Sequence, residues 1–105
     1  MVLLKVEKIK NSYPKMEQLP FLEKIESKVR FRKFDRNVQE NELKWHFDEQ
    51  DRLITPTHTT DWKFQMDDEL PIDLIEGNEI FIPQGVYHRI IKGSGDLELK
   101  VKFVD

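Results

Sequence analysis

The chain has no cysteine, which removes disulfides, thiolate metal ligands and cysteine nucleophiles together. It has no long apolar run either. The N-terminal MVLLKVEKIK is interrupted by Lys5, Glu7 and Lys8 and is too short for the h-region of a signal peptide. No segment nears the ~20 residues of a membrane span, so a soluble, cytoplasmic protein is the expectation. An excess of one charge is also missing. The 17 Lys and Arg against 20 Asp and Glu leave a net charge of −3, and the two signs alternate along the chain, so no long-range field favours nucleic acid or a membrane as partner. The densest basic stretch, KVRFRKFDR at 28–36, alternates with apolar residues and includes Asp35. It reads as the wet face of a strand rather than as a track for phosphates.

Glycine is scarce, at 4 in 105 residues, and no Gly/Ser linker, repeat or low-complexity tract marks a boundary. The expectation is a single domain over residues 1–105, with an N-terminal part at 1–37 and a core at 38–104. A domain of this length buries only a modest core, and a second copy would help it.

Residues 1–10 alternate weakly, as an edge strand does. PKMEQLPFLEKIESK at 14–28 has helical spacing at Met16, Leu19, Leu22 and Ile25; Pro20 limits such a helix to a turn or two, or starts it. From residue 28 the period becomes two. Val29 and Phe31 alternate with arginines, NVQEN makes a turn, and ELKWHF follows as a strand. Further strands are expected at 53–55, 62–66, 70–74, 80–82, 86–91 and 97–103, separated by turns at Asp67-Asp68, Gly77-Asn78, Pro83-Gln84-Gly85 and KGSG. Short strands at such regular spacing, without helical crossovers, predict an antiparallel all-β sandwich or barrel.

GNEIFIPQGVYHRI at 77–90 carries the most specific pattern: Gly77, five residues, Pro83, one residue, Gly85, two residues, His88. At background frequencies of roughly 7% Gly, 5% Pro and ~2% His, this spacing arises by chance in only about a few chains in ten thousand. Gly77 permits the positive φ of a hairpin turn, and Pro83 with Gly85 suits a tight turn with Pro at its second corner. Alternation then puts Val86, His88 and Ile90 on one face and Tyr87, Arg89 and Ile91 on the other.

This stretch resembles the second signature motif of the cupin family, G(X)5PXG(X)2H(X)3N, with Lys92 in place of the final Asn. The first cupin motif, G(X)5HXH(X)3-4E(X)6G, resembles WHFDEQDR at 45–52 less closely: His46 fits the first histidine, Asp48 stands for the second, and Arg52 falls where the glutamate would be. The resemblance covers residues 38 to 104. It implies an antiparallel jelly-roll β-barrel or sandwich in which the two motif strands are neighbours lining the interior. It also implies a homodimer, since many single-domain cupins pair.

The residues themselves point to the same chemistry. On one strand His46 and Asp48 share a face and Leu43, Trp45 and Phe47 share the other. A His-X-Asp pair with a distant histidine is a two-histidine, one-carboxylate set, which leaves coordination positions open on non-haem Fe(II). His46, Asp48 and His88 are therefore the candidate metal ligands, with Asp51 as the alternative carboxylate, for Fe(II) first and otherwise Mn, Ni or Zn. Arg52 either clamps a substrate carboxylate or pairs with Asp48 or Asp51. Trp62, Phe64 and Met66 read as core first and pocket wall second, which makes Arg52, Trp62 and Phe64 the candidate substrate contacts. His58, among turn formers, is expected to be exposed and without a role. Trp45, Phe47 and Tyr87 on the outer face need a cover, from the N-terminal segment or a second subunit.

Two functions fit. One is a small metal-dependent cupin enzyme acting on a small, anionic molecule; the other is a cupin module that holds a small ligand without catalysis, with or without metal. The fold does not choose the reaction.

Overall fold

The computed structural model describes residues 19–104. The strands are β1 (Leu22–Glu26), β2 (Val29–Phe34), β3 (Asp51–Pro56), β4 (Lys63–Met66), β5 (Ile72–Asp73), β6 (Ile80–Ile82), β7 (His88–Ile91) and β8 (Leu97–Val104), with one 3-10 turn at Glu40–Glu42. They form a five-stranded sheet in the order β1-β2-β8-β3-β6 and a three-stranded sheet in the order β5-β4-β7. Every strand pair is antiparallel. The sheets are not joined into one closed barrel; they face each other across a shared core. No helix among the described residues is long and apolar enough to cross a membrane.

Period-two patterning decides which face each strand buries. In β8, Leu97, Leu99 and Val101 are buried while Glu98, Lys100 and Lys102 point away. They meet Phe34 of β2, Ile54 of β3, Ile80 and Ile82 of β6, and Phe64 of β4 in one cluster. Trp62 is wholly buried there, and its indole N–H donates to the Gly95 carbonyl at 2.8 Å, so its one polar atom is satisfied. Truncating such a side chain costs about 3–5 kcal/mol.

The turns that aim the site follow from positive φ. Val86 N–H donates to the Pro83 carbonyl at 3.3 Å, so Pro83 is the first corner of that turn rather than the second. Gly85, at φ +79°, takes the third corner, where a type II turn demands a left-handed residue. Gly77, at φ +84°, does the same between Ile75 and Asn78.

Three expectations change. The weak strand expected over residues 1–10 lies outside the described residues, and so does the start of the helix expected over 14–28. From Leu22 the chain is strand β1, paired with β2 from Leu22↔Lys33 to Glu26↔Val29. The three-residue step from Leu22 to Ile25 fits a helix turn, but a helix after Pro20 is too short to stand by itself, and cross-strand pairing prevails. ELKWHF, expected as a strand, forms none: it leaves the 3-10 turn as irregular chain that, among the described residues, pairs only through the bridge of His46 with His88. Leu43 packs against the core, while Trp45 and Phe47 stay exposed.

The third change concerns the basic stretch. Arg30, Arg32 and Phe34 face inward, whereas Val29, Phe31 and Lys33 point outward. Arg30 and Arg32 keep only 27% and 17% of their side-chain surface exposed. The alternation is as expected, but its phase is reversed, because Glu23 on β1 lies across from Arg32 in the register and accepts from both arginines.

Candidate metal centre

The loop that enters β3 and the loop that leaves β6 bring the site together. His46 N–H donates to the His88 carbonyl at 3.0 Å and His88 N–H returns to the His46 carbonyl at 2.8 Å, a reciprocal pair that sets the two residues side by side. Gly85 N–H donates to the Asp48 carbonyl at 2.8 Å, and Gln84 N–H to the Asp51 carboxylate at 2.7 Å. WHFDEQDR and IPQGVYH are thus stitched to each other over four bonds. The Asp51 carboxylate is occupied in capping the turn and lies outside the cluster.

His46, Asp48 and His88 each present one ligand atom, and the three atoms lie within 4.8 Å of one another. The orientation of both rings follows from their partners. His46 Nδ1 is 2.9 Å from the Lys44 carbonyl and His88 Nδ1 is 3.0 Å from the Val86 carbonyl. A carbonyl can only accept, so each Nδ1 carries a hydrogen and each Nε2 is turned the other way, the position whose lone pair a metal takes. Such backbone anchoring of the distal nitrogen is what orients metal-bound histidines.

His88 Nε2 stands 3.3 Å from Asp48 Oδ2. The approach lacks hydrogen-bond geometry, and Asp48 Oδ2 is a buried acceptor with no hydrogen-bond partner. The oxygen thus faces Nε2 of His88 without a hydrogen bond between them. Buried acceptors without donors cost about 1–3 kcal/mol, more for charged groups, and a cation would satisfy both. Bond lengths of about 2.1 Å place neighbouring ligand atoms ~3.0–3.4 Å apart, a spacing that His88 and Asp48 already have.

Electrostatics keeps the set in metal-binding form. Burial raises the Asp48 carboxyl, but contact with His88 and then the charges of Arg52 and the two histidines outweigh it and hold the group below the usual carboxylate range. Although His46 has an exposed surface, desolvation of its ring where it meets the cavity lowers its pKa, assisted by His88 and Arg52 and opposed by the Lys44 carbonyl and Asp48.

These residues open onto a cavity of about 840 Å³ between the sheets. Arg52 and Phe64 line it, together with Arg30, Arg32, Glu23 and Phe103. Arg52 Nη2 is 3.4 Å from Asp48 Oδ1, so the ion pair forms while the guanidinium still borders the cavity. Trp62 does not line it; that side chain belongs to the core. Met66 packs against the core edge. His58 is exposed, and its Nε2 accepts from Glu98 N–H at 3.1 Å, a structural role that residue type alone does not reveal. Trp45, Phe47 and Tyr87 remain exposed on the outer face, with the Arg89 guanidinium 4.8 Å from the Trp45 ring. Sequence reasoning missed Arg30, Arg32 and Glu23. The one signal was Glu23 itself, an acid placed to face the basic strand once the two segments pair.

Neither a family model nor a curated protein matches the chain. Solved structures do. A chain from crystal structures of the DMSP lyases RdDddP and RnDddQII shares 14% identity at a TM-score of 0.63 over 73% of this chain, which spans only 37% of that one. An RmlC-like cupin family protein with a double-stranded beta-helix fold from Methanocaldococcus jannaschii shares 17% identity at a TM-score of 0.59, covering 98% of this chain and 93% of that one. A putative mannose-6-phosphate isomerase from Ralstonia eutropha JMP134 shares 13% identity at a TM-score of 0.57, covering 88% of this chain and 99% of that one. At these identities the likeness establishes the fold, which is that of a small cupin domain.

Proposed function

We propose that this cupin domain holds one divalent metal ion on His46, Asp48 and His88 and acts on a small molecule admitted to the adjoining cavity. The observation that supports it best is the gathering of one ligand atom from each of His46, Asp48 and His88 within 4.8 Å, with both rings anchored at Nδ1 and Asp48 Oδ2 buried without a hydrogen-bond partner. Two imidazoles and one carboxylate form the facial set suited to Fe(II), with Mn, Ni or Zn as the other candidates. An ion held there would act as a Lewis acid toward a bound oxygen, with coordination positions left open for substrate. The chain's own residues do the rest. The Lys44 and Val86 carbonyls fix the two rings, Arg52 holds Asp48 in its ionised form, and Phe64, stacked at 5.6 Å from His88, walls the cavity. The DMSP lyase and putative isomerase likenesses are in keeping with an enzyme of this kind without naming its substrate.

The test is metal uptake by untagged protein, compared with His46→Ala, Asp48→Ala and His88→Ala. Wild type is expected to retain one ion per chain and each variant to lose it. Full affinity in Asp48→Ala would overturn the two-histidine, one-carboxylate assignment. A metal-free protein that still holds a small ligand is the second reading, favoured by the Arg52–Asp48 ion pair, which competes for the same carboxylate.

A further inference from the structure

Three guanidiniums line the same cavity wall, two more than a substrate clamp at Arg52 alone requires. Arg30 and Arg32 come from β2 and Arg52 from β3, on either side of β8. Facing them are two carboxylates, Glu23 and Asp48; the exposed pair Glu42 and Lys44 at the rim cancel each other. Among the described residues, one positive charge is thus left uncompensated inside the cavity.

The arginines are held in place in advance. Glu23 Oε2 accepts from Arg32 Nε at 2.7 Å and Oε1 from Arg30 Nη1 at 3.2 Å. The Phe103 ring lies between the other two, 4.8 Å from the Arg30 guanidinium and 4.9 Å from that of Arg52. Arg52 Nε is buried without a hydrogen-bond partner. Burial lowers the pKa of Arg32 and of Arg52, opposed by Glu23 and by Asp48 respectively. Desolvated guanidiniums with a net positive charge and open donor capacity are a cost unless an anion completes them. Beyond them the wall is apolar, with Ile54, Phe64, Ile82 and Ile90.

We infer that Arg30, Arg32 and Arg52 form a carboxylate-binding subsite, so that the ligand of this cavity is a small carboxylic acid with an apolar body. A single carboxylate neutralises the one uncompensated charge, and the planar fork of an arginine matches its two oxygens. The inference deepens the metal reading by naming the class of molecule beside the ion, but the subsite does not use the ion, so the two fail separately.

The experiment is calorimetric titration of the full chain with phenylacetate, with its neutral isostere phenylacetamide, and with inorganic phosphate, in metal-loaded and chelator-treated protein. Phenylacetate is expected to bind one to one in both forms, at least tenfold more tightly than phenylacetamide. Arg32→Gln and Arg52→Gln are each expected to weaken it at least tenfold. Arg32→Gln is expected to leave metal uptake unchanged. Equal binding of acid and amide to wild type, which needs no folded variant, would overturn the inference, as would preferential binding of phosphate. Carboxylate binding that survives in a chain taking up no metal would sustain the subsite and overturn the metal reading instead.

Discussion

At the scale of single residues, Asp48 joins two parts of the site. Its Oδ1 faces Arg52 and its Oδ2 faces Nε2 of His88, so one carboxylate serves both the ion pair and the candidate metal position. Asp48→Asn would turn an amide N–H toward His88 Nε2 and keep an oxygen toward Arg52. Metal uptake should therefore vanish. Because folding holds the Asp48 carboxyl below its usual range and Arg52 pairs with it, the metal-free variant should also melt lower than wild type near neutrality, with the gap closing as pH falls below about 4. Thermal melts of chelator-treated wild type and variant across pH decide it; a variant that melts level with wild type at neutral pH would show that the charge serves the ion alone.

Gly93 makes a different point at the same scale. A Cβ there would sit 2.6 Å from Trp62 Cδ1 and 2.7 Å from the Trp62 backbone nitrogen, with the Asp61 carboxylate nearer still. The obstacle is backbone and a wholly buried indole, so nothing cheap can give way. Gly93→Ala should cost about 1–3 kcal/mol, measured by denaturant unfolding, whereas Gly95→Ala, with nothing within 4 Å, should cost far less.

At the scale of elements, the positions of β2 and of the strands from β3 onward, with the turns between them, were legible in the sequence and the facing of β2 was not. Gly77, Pro83, Gly85 and His88 carry their meaning locally, because positive φ and the loss of an N–H are properties of single residues. The phase of β2 depends on Glu23, which arrives from another strand. Alternation in VRFRKF says that Arg30, Arg32 and Phe34 take one face and Val29, Phe31 and Lys33 the other; it does not say which face is inside, and the usual bias toward exposed arginines misleads wherever the interior is a charged cavity. The helix expected from Leu22 and Ile25 yields to β1 for a related reason, since pairing with β2 is nonlocal. The 3-10 turn at Glu40–Glu42 then moves Leu43 away from the Trp45 and Phe47 face.

The loop before β8 offers an elemental test by pH. Asp61 accepts from Ser94 N–H at 2.8 Å and Asp96 from Arg36 N–H at 2.8 Å, and these backbone donors hold both carboxyls below the usual range. A carboxylate whose pKa is depressed by folding contributes stability above its unfolded pKa of ~3.9 and loses it as pH falls through the folded value. Asp61→Asn should thus melt lower than wild type near neutrality, and the gap should close as pH falls below about 4. A gap independent of pH would show that Asp61 matters for shape rather than for charge.

At the scale of the molecule, one cavity between two sheets gathers the metal ligands, the arginines and the apolar wall, and the fold explains why it can. The reciprocal pairing of His46 and His88 places one loop beside β7, while β8 separates β2 from β3, so that residues 30, 32, 46, 48, 52 and 88 share one interior although the sequence scatters them over 59 positions. The candidate ligands could be found from sequence because two of them sit in a spaced motif and the third follows at the alternating position. The arginine wall could not, because it has no motif and exists only after three strands align.

The most direct test of the central claim is the metal content of untagged protein after exposure to Fe(II), Mn, Ni and Zn in turn. One ion per chain in wild type, with none in His88→Ala, is the result predicted here. A chain that takes up none of the four at stoichiometric level would contradict it.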